Sequence, residues 1–481
     1  MPLYNQLCMS QKNTLKNVFI VILSNVLRLA ASILISFALP ELLGIVEYGY
    51  YKTFFLYSTY FTLSNVGFAD GIYLKFGGKS ISELNKSDFR QYFLTFLIVQ
   101  FAIFVIGVTV SQIFLGIEYK TVVLLLFVTF FAANINNYFQ LISQMTSRFK
   151  EFSIRLILIS LANLLIIGIM FVFKSSSYVL YLSLLAVIQY AIMAWYLFTY
   201  RDFVFGKATN FKEIKRDIIQ LFLIGLPLMA SNISASFVLV IDKQIIKSFF
   251  DIETFSIYSF AYSMLTLITV VVSAISIVLY PVLKKISPDQ IKHHYSRLNS
   301  VVISIVLLGI SIYFPLVYII PKFLPQYIDS LQILRIAFPG LILSSSITAI
   351  KHNFYKTTNN NLHFLLISIF AIVFVLGLNL LSYYLFGEVW LITLSSIVGI
   401  FVWYIVTEIY LVVKYKVKWQ KNMIAVVVGI AIFYLTAFLE NYIIGGVLYF
   451  IAIVALTLIF YKNEIRFFFL EFKNRKTTDN Q

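Results

Sequence analysis

Residues 22–30 read ILSNVLRLA. Arg28 stands in the middle of an apolar run that begins at Val18, with Ser24, Ser32 and Ser36 at steps of four and Asn25 beside them. On a helix, a step of four keeps side chains on one slowly drifting face. These residues therefore form a polar stripe on a surface otherwise made of Val, Ile, Leu and Phe. Lipid cannot solvate such a stripe, so it must face a cavity or another helix. Arg28 lies about ten residues, or about 15 Å, from either end of the run, too deep for its stem to carry the charge to the interface. An Arg at the centre of a spanning helix costs on the order of 2.5–3.5 kcal/mol. Two roles fit: a cation awaiting an anionic ligand, or a structural partner for a carboxylate or carbonyls of another span.

Other polar residues inside apolar runs extend the set. Asn232, Ala235 and Asp242 share a face of the seventh run, with Ser231 and Lys243 adjacent and Pro227 predicting a kink near its start. Asp242 and Lys243 fall at the outer end, where they are either interfacial or functional. Lys52 and Arg335 lie within about one turn of the outer ends of the second and tenth runs, a depth that suits snorkelling as well as cavity lining. Glu408, near the end of the twelfth run, is a candidate for H⁺ or Na⁺ coupling, as is Asp242; pairing of Glu408 with Lys414 is the structural alternative. Asn134, Asn136, Asn137, Gln140 and Gln144 close the fourth run. Such amides bind sugar hydroxyls or join helices by hydrogen bonds. His293 and His294 sit in a charged loop. No phosphate-cradling glycine loop, metal-ligand cluster or nucleophile motif accompanies these residues, and no cofactor is expected.

The elements that must hold them are membrane helices. The chain has 481 residues, 60% hydrophobic and 12% charged, about half the charge of a soluble domain, and its mean hydropathy is +0.89. Apolar runs of about 20 residues, enough to span a bilayer, recur end to end. Fourteen are expected, at 18–39, 49–69, 92–115, 120–142, 154–173, 178–199, 218–241, 255–280, 300–320, 331–350, 364–386, 389–413, 423–439 and 442–461. With the N-terminus placed in the cytoplasm, 29 of the 37 Lys and Arg fall in inside segments, Lys351 and Lys356 among them, five fall outside and three fall within spans. The net charge of +16 is thus topological and does not point to nucleic acid. Both termini are expected on the cytoplasmic side. The single cysteine, Cys8, excludes an internal disulfide. The first run is too long for a signal-peptide core and is interrupted by Arg28, so it reads as a retained helix.

An internal repeat organises the runs. Residues 22–26 (ILSNV) and 229–233 (MASNI) align at an offset of 207; at the same offset Tyr51 falls on Tyr258, and the turn at 44–50 on that at 251–257. Span 1 maps onto span 7 and span 2 onto span 8, which predicts two parallel six-helix lobes. The expected organisation is an N-terminal lobe at 1–200, a linker at 201–217, a C-terminal lobe at 218–413, and two added helices with a tail at 414–481.

Several segments resemble a known family. LPELLGIVEYGYYKTFFLYSTYF followed by NVGFADGIYLKFGG is similar to the opening of bacterial polysaccharide repeat-unit flippases. So are LFLIGLPLMASNISASFVLVIDKQII followed by YSFAYSM, then LYPVL, and PKFLPQYIDSLQILRIAFPGLILSS. These are the O-antigen and capsule translocases of the multidrug/oligosaccharidyl-lipid/polysaccharide exporter superfamily. The resemblance implies an all-α polytopic protein with two pseudo-symmetric, MATE-like lobes around a cavity and two extra C-terminal helices. The implied cargo is an undecaprenyl-diphosphate-linked oligosaccharide, moved across the bacterial inner membrane; the implied partners are membrane lipids, a polysaccharide polymerase and a chain-length regulator. Cationic residues on the first two helices would meet the diphosphate or an acidic sugar, and Arg28 and Lys52 match that description. A multidrug exporter of the same superfamily is the alternative, with a membrane glycan polymerase behind it. That enzyme would need a long external loop, which the chain lacks.

Overall fold

The computed structural model describes residues 2–146, 148–284, 288–358 and 360–478. Within them, the side chains of residues up to 26, of Arg28, of 149, 150, 152, 274, 275 and 277–294, and of 463 onward lie outside the description. Every described regular element is helical. Helices satisfy their backbone N–H and C=O groups within one segment, which hydrocarbon demands.

The chain forms two compact units. The first comprises 1–236 and 251–256, the second 237–250 and 257–481. In the first, α1 (Pro2–Ser58) leads through α2 (Phe68–Phe76) to α3 (Lys86–Phe114), α4 (Ile117–Met145), α5 (Phe149–Val172) and α6 (Tyr178–Thr199). The short α7 (Arg201–Val204) then precedes α8 (Phe211–Val238). In the second, α9 (Ile241–Phe249) leads to α10 (Ile252–Lys284), α11 (Pro288–Ile310), α12 (Tyr313–Phe323), α13 (Ser330–Ala337) and α14 (Gly340–Ser345). A π-helical turn at Ser346–Lys351 joins α14 to α15 (His352–Thr357), followed by α16 (Asn361–Phe386), α17 (Val389–Tyr415), α18 (Gln420–Ala437) and α19 (Tyr442–Thr478).

Among the described residues twelve helices are long and apolar enough to cross a membrane, or thirteen when α13 and the α14–α15 rod, bent by 50°, count as one broken span. Fourteen were expected. The count differs at the start, where Leu29–Asn65 is one candidate by length and composition, although α1 is two helices meeting at a kink at Gly44 and its 57 residues far exceed the roughly 20 that one span needs. No loop separates them. Gly44 alone leaves the helix, at φ 71° and ψ 178°, a positive φ that glycine adopts without a steric penalty. Its counterpart at the 207-residue offset, Asp251, is also non-helical; it caps α10 by accepting the Thr254 N–H at 2.7 Å. That bond holds the Asp251 carboxyl below its usual range. The cap is at full strength above the ordinary carboxylate pKa and fades as pH falls through the lowered value.

A second difference concerns Lys351. The tenth span does not stop at 350 but runs on to Thr357, so Lys351 is fully buried in the π turn rather than solvated in a loop. The sequence signal is the continuation of the apolar run into Phe354 and Tyr355, both buried.

The first unit is held by an aromatic core in which Phe68, Phe96, Tyr138, Phe139, Tyr196 and Tyr200 pack together. α2 meets α8 backbone to backbone. A Cβ on Gly71 would stand 1.9 Å from the Leu221 carbonyl oxygen, and one on Gly225 would stand 1.8 Å from that of Gly67. Gly67 and Gly71 form a small-xxx-small pair, the pattern that lets helices in lipid approach this closely.

Candidate functional site

Two amides of α4, Asn134 and Asn136, act as joints. Asn134 donates to Ser64 Oγ at 2.6 Å and to Gln100 Oε1 at 2.7 Å, while Gln100 Nε2 donates to the Ser64 carbonyl at 2.8 Å. Asn136 donates to both the carbonyl and the side-chain oxygen of Gln189, at 2.9 and 3.0 Å. Of the two roles open to these residues, helix joining is the one this geometry serves. Asn136→Leu is expected to lower stability by about 1 kcal/mol, within the range of interhelical bonds in membranes, read as a lower thermal midpoint of the purified protein. An unchanged midpoint would count against the joint.

Ser24, Asn25 and Arg28 lie outside the described side chains. Ser32, four residues on, is half-buried on α1. Lys52 follows the Gly44 break, its Nζ 5.0 Å from the centre of the Tyr48 ring and 5.3 Å from that of Tyr51. Tyr51 in turn meets Tyr181 edge-on at 5.1 Å. The ammonium is thus steadied by two ring faces, a cation–π arrangement. Asn232 is half-buried on α8, and its carbonyl accepts from Ser236 Oγ at 3.1 Å.

In the second unit Asp242 is buried in the first turn of α9. Its Oδ2 accepts from the hydroxyls of Tyr258, at 2.8 Å, and Tyr262; its Oδ1 accepts the Lys243 backbone N–H at 2.7 Å. The Lys243 ammonium lies 4.4 Å from the centre of the Tyr262 ring. The sequence placed Asp242 and Lys243 side by side but gave no sign of the two tyrosines, which come from α10, one turn apart.

Arg335 turns towards the C-terminal helices. It donates to the hydroxyls of Tyr313 at 3.2 Å and Tyr442 at 3.4 Å, and its guanidinium lies 4.9 Å from the centre of the Phe438 ring. It ties α13 to α12 and to the start of α19.

Glu408 pairs with Lys351, which the charge distribution assigns to an inside segment. Lys351 Nζ is 2.8 Å from Glu408 Oε2, and both side chains are buried. The ammonium also donates to the Tyr404 carbonyl at 2.7 Å, and Tyr295 donates its hydroxyl to Glu408 Oε2 at 2.6 Å. Lys414, the alternative partner, instead donates to Asn360 Oδ1 at 2.5 Å and to Tyr410. The π turn carries Lys351 into this position; such turns widen a helix by one residue and recur at functional sites.

These groups hold one another through hydrogen bonds, an ion pair and ring contacts. Each described carboxylate within the C-terminal unit's interior has cationic or hydroxyl partners, and among the described residues no group of three metal-ligating side chains converges. Residues 14–287, more than half of the chain, match the family described as Polysaccharide biosynthesis protein. The chain belongs to that family. No curated protein matches this polysaccharide biosynthesis protein in sequence. Its fold is shared with solved transporters. It superposes on the lipid II flippase MurJ in an inward closed conformation with a TM-score of 0.71 and 14% identity, covering 94% of this chain and all of that one. An inward-facing multidrug resistance MATE transporter of the MOP superfamily gives 0.60 at 16% identity, over 84% of this chain and 95% of that one. A MOP superfamily transporter from Pyrococcus furiosus gives 0.53 at 14% identity, over 82% and 93%.

Proposed function

We propose that this polysaccharide biosynthesis protein flips undecaprenyl-diphosphate-linked oligosaccharide repeat units from the cytoplasmic to the outer leaflet of the bacterial inner membrane, for surface polysaccharide such as O-antigen or capsule. The observation that carries the reading is the family match over residues 14–287 on a chain whose fold follows a lipid II flippase over 94% of its length. Transport would alternate between two lobes, 1–200 and 218–413, with both termini in the cytoplasm, and the product would pass to a polymerase and chain-length regulator. Arg28 would hold the diphosphate from the polar stripe of Ser24, Asn25 and Ser32, with Lys52, Asn232, Lys243 and Arg335 as further cavity candidates. H⁺ or Na⁺ coupling would fall on Asp242 or Glu408, the two buried acidic side chains of the C-terminal unit named above. A multidrug exporter is the second reading, favoured by the MATE likeness; resistance assays in a pump-deleted strain separate the two.

The test is complementation of a strain lacking its own repeat-unit flippase. The wild-type chain is expected to restore surface polysaccharide. Arg28→Ala should reduce it about tenfold or more, as loss of a hydrogen bond to a charged group does, and Arg28→Lys should retain part of it. Failure of the wild type to restore any polysaccharide would refute the reading; full export by both well-expressed variants would remove Arg28 from it.

A further inference from the structure

Beyond Gly44, α1 and the turn after it read EYGYYKTFFLYSTYF, five tyrosines in fifteen residues. They divide by face. Tyr48 and Tyr51 are buried, stack on each other at 5.6 Å and belong to the packing of the unit. Tyr50, Tyr57 and Tyr60 are half-exposed. Tyr50 and Tyr57 are two helical turns apart and so share a face. Tyr60, in the 3₁₀ turn that follows, continues the line, its ring 6.3 Å from that of Tyr57.

Tyr119, from the first turn of α4, closes the other side. Its ring centre lies 6.0 Å from that of Tyr50. Tyr178 anchors the first rung by stacking on Tyr50 at 5.3 Å, while its backbone N–H donates to Glu47 at 2.8 Å.

An interfacial aromatic belt accounts for tyrosines at one level of a membrane. It does not account for this line, because Tyr50 to Tyr60 covers ten residues, about 15 Å of helical rise, roughly half the hydrocarbon thickness. A row of rings with hydroxyl rims presents large, rigid, amphipathic contact area at low entropic cost. Sugars match it: their C–H faces stack on rings and their hydroxyls bond phenols.

We propose that Tyr50, Tyr57, Tyr60 and Tyr119 form an oligosaccharide-binding track selective for uncharged sugars. The inference deepens the flippase reading and rests on it. Selectivity follows from charge. Two carboxylates flank the Tyr50 rung: Glu47, which accepts the N–H of Tyr178, the residue stacked on Tyr50, and Glu118, next to Tyr119 in the first turn of α4. They oppose a uronate or sialate, while Lys52 is engaged with Tyr48 and Tyr51 on another face of the helix. The anionic diphosphate and the neutral glycan would thus be held by different faces.

The test uses the purified full-length chain in nanodiscs and saturation-transfer NMR, with a neutral trisaccharide (maltotriose) and an anionic one (trigalacturonate) as probes. Maltotriose is expected to give ring-proton signals at least fivefold stronger than trigalacturonate at equal concentration. Tyr57→Ala/Tyr60→Ala should abolish them, and Tyr57→Phe/Tyr60→Phe, which keeps the rings and the fold, should weaken them several-fold. No maltotriose signal from the wild type, an equal or stronger trigalacturonate signal, or signals unchanged in the alanine pair would each overturn the track. The flippase reading fails separately, in the complementation strain. Rescued export with unaltered sugar binding in the tyrosine variants sinks the track alone, and sugar binding without rescue sinks the flippase alone.

Discussion

Lys351→Met is expected to destabilise the C-terminal unit by about 3–5 kcal/mol, the usual cost of removing one partner from a buried ion pair. Glu408 would remain buried with Tyr295 as its donor, because Lys414 is committed to Asn360 and Tyr410. The ammonium also closes bonds to the Tyr404 carbonyl and lies 3.2 Å from the centre of the Tyr404 ring. Its loss therefore loosens the π turn against α17 as well. The double variant Lys351→Met/Glu408→Leu should recover most of the loss, since replacing both members of a buried pair with apolar residues is often neutral or stabilising. Thermal unfolding of the purified protein reads both. A single variant within about 1 kcal/mol of wild type, or a double no better than the single, would contradict the pairing. The comparison also separates stability from coupling: if Glu408 carries an ion, the stable double variant folds and still fails to transport uphill.

The second large effect is expected at the α2–α8 crossing. Gly71→Ala and Gly225→Ala each place a methyl within 2 Å of a backbone carbonyl oxygen, and backbone cannot rotate aside as a flexible side chain can. The helices must part by more than 1 Å to reach ordinary contact distance. Overpacking costs typically 1–3 kcal/mol, occasionally more, and the upper end is expected here because the Phe68–Phe222 ring contact at 4.7 Å and the Lys75–Asp217 ion pair at 3.2 Å bridge the same two helices. Gly168→Ala and Gly377→Ala, where a Cβ meets nothing within 4 Å, are the controls and should gain up to about 1 kcal/mol from helix propensity. Equal midpoints across all four variants would mean that α2 and α8 do not touch at these glycines.

Much of the architecture was legible because a bilayer leaves few options. Run length, the Lys and Arg asymmetry and the family-like segments all point to a helical membrane protein, and the Gly44 and Asp251 breaks recur at the offset of the Ser-Asn repeat. What the sequence concealed was of two kinds. The break between the first two runs is a single glycine rather than a loop: Glu41 and Glu47 flank Gly44, and the pattern marks the break without showing that the two helices join directly there. Partners distant in sequence are invisible to periodicity: the pattern marks Glu408 as unusual but cannot say whether Lys351 or Lys414 reaches it. The same holds for Asp242, whose tyrosine donors lie on the next helix. The tyrosines of α1 were conspicuous in composition, yet their division into packing and half-exposed faces emerges only with Tyr119 and Tyr181 in place.

Arg335 has a consequence for how the protein is made. Tyr313, one of its two hydroxyl partners, precedes it by 22 residues, but the other, Tyr442, is synthesised 107 residues later. The guanidinium, near the outer end of its span, therefore waits with one of these two hydrogen bonds until the last hairpin is made. The last helix hairpin acts as a delayed clasp, and a ribosome stalled before α19 would leave a nascent chain inserted but unlatched, a natural point for quality control to distinguish unfinished molecules from finished ones.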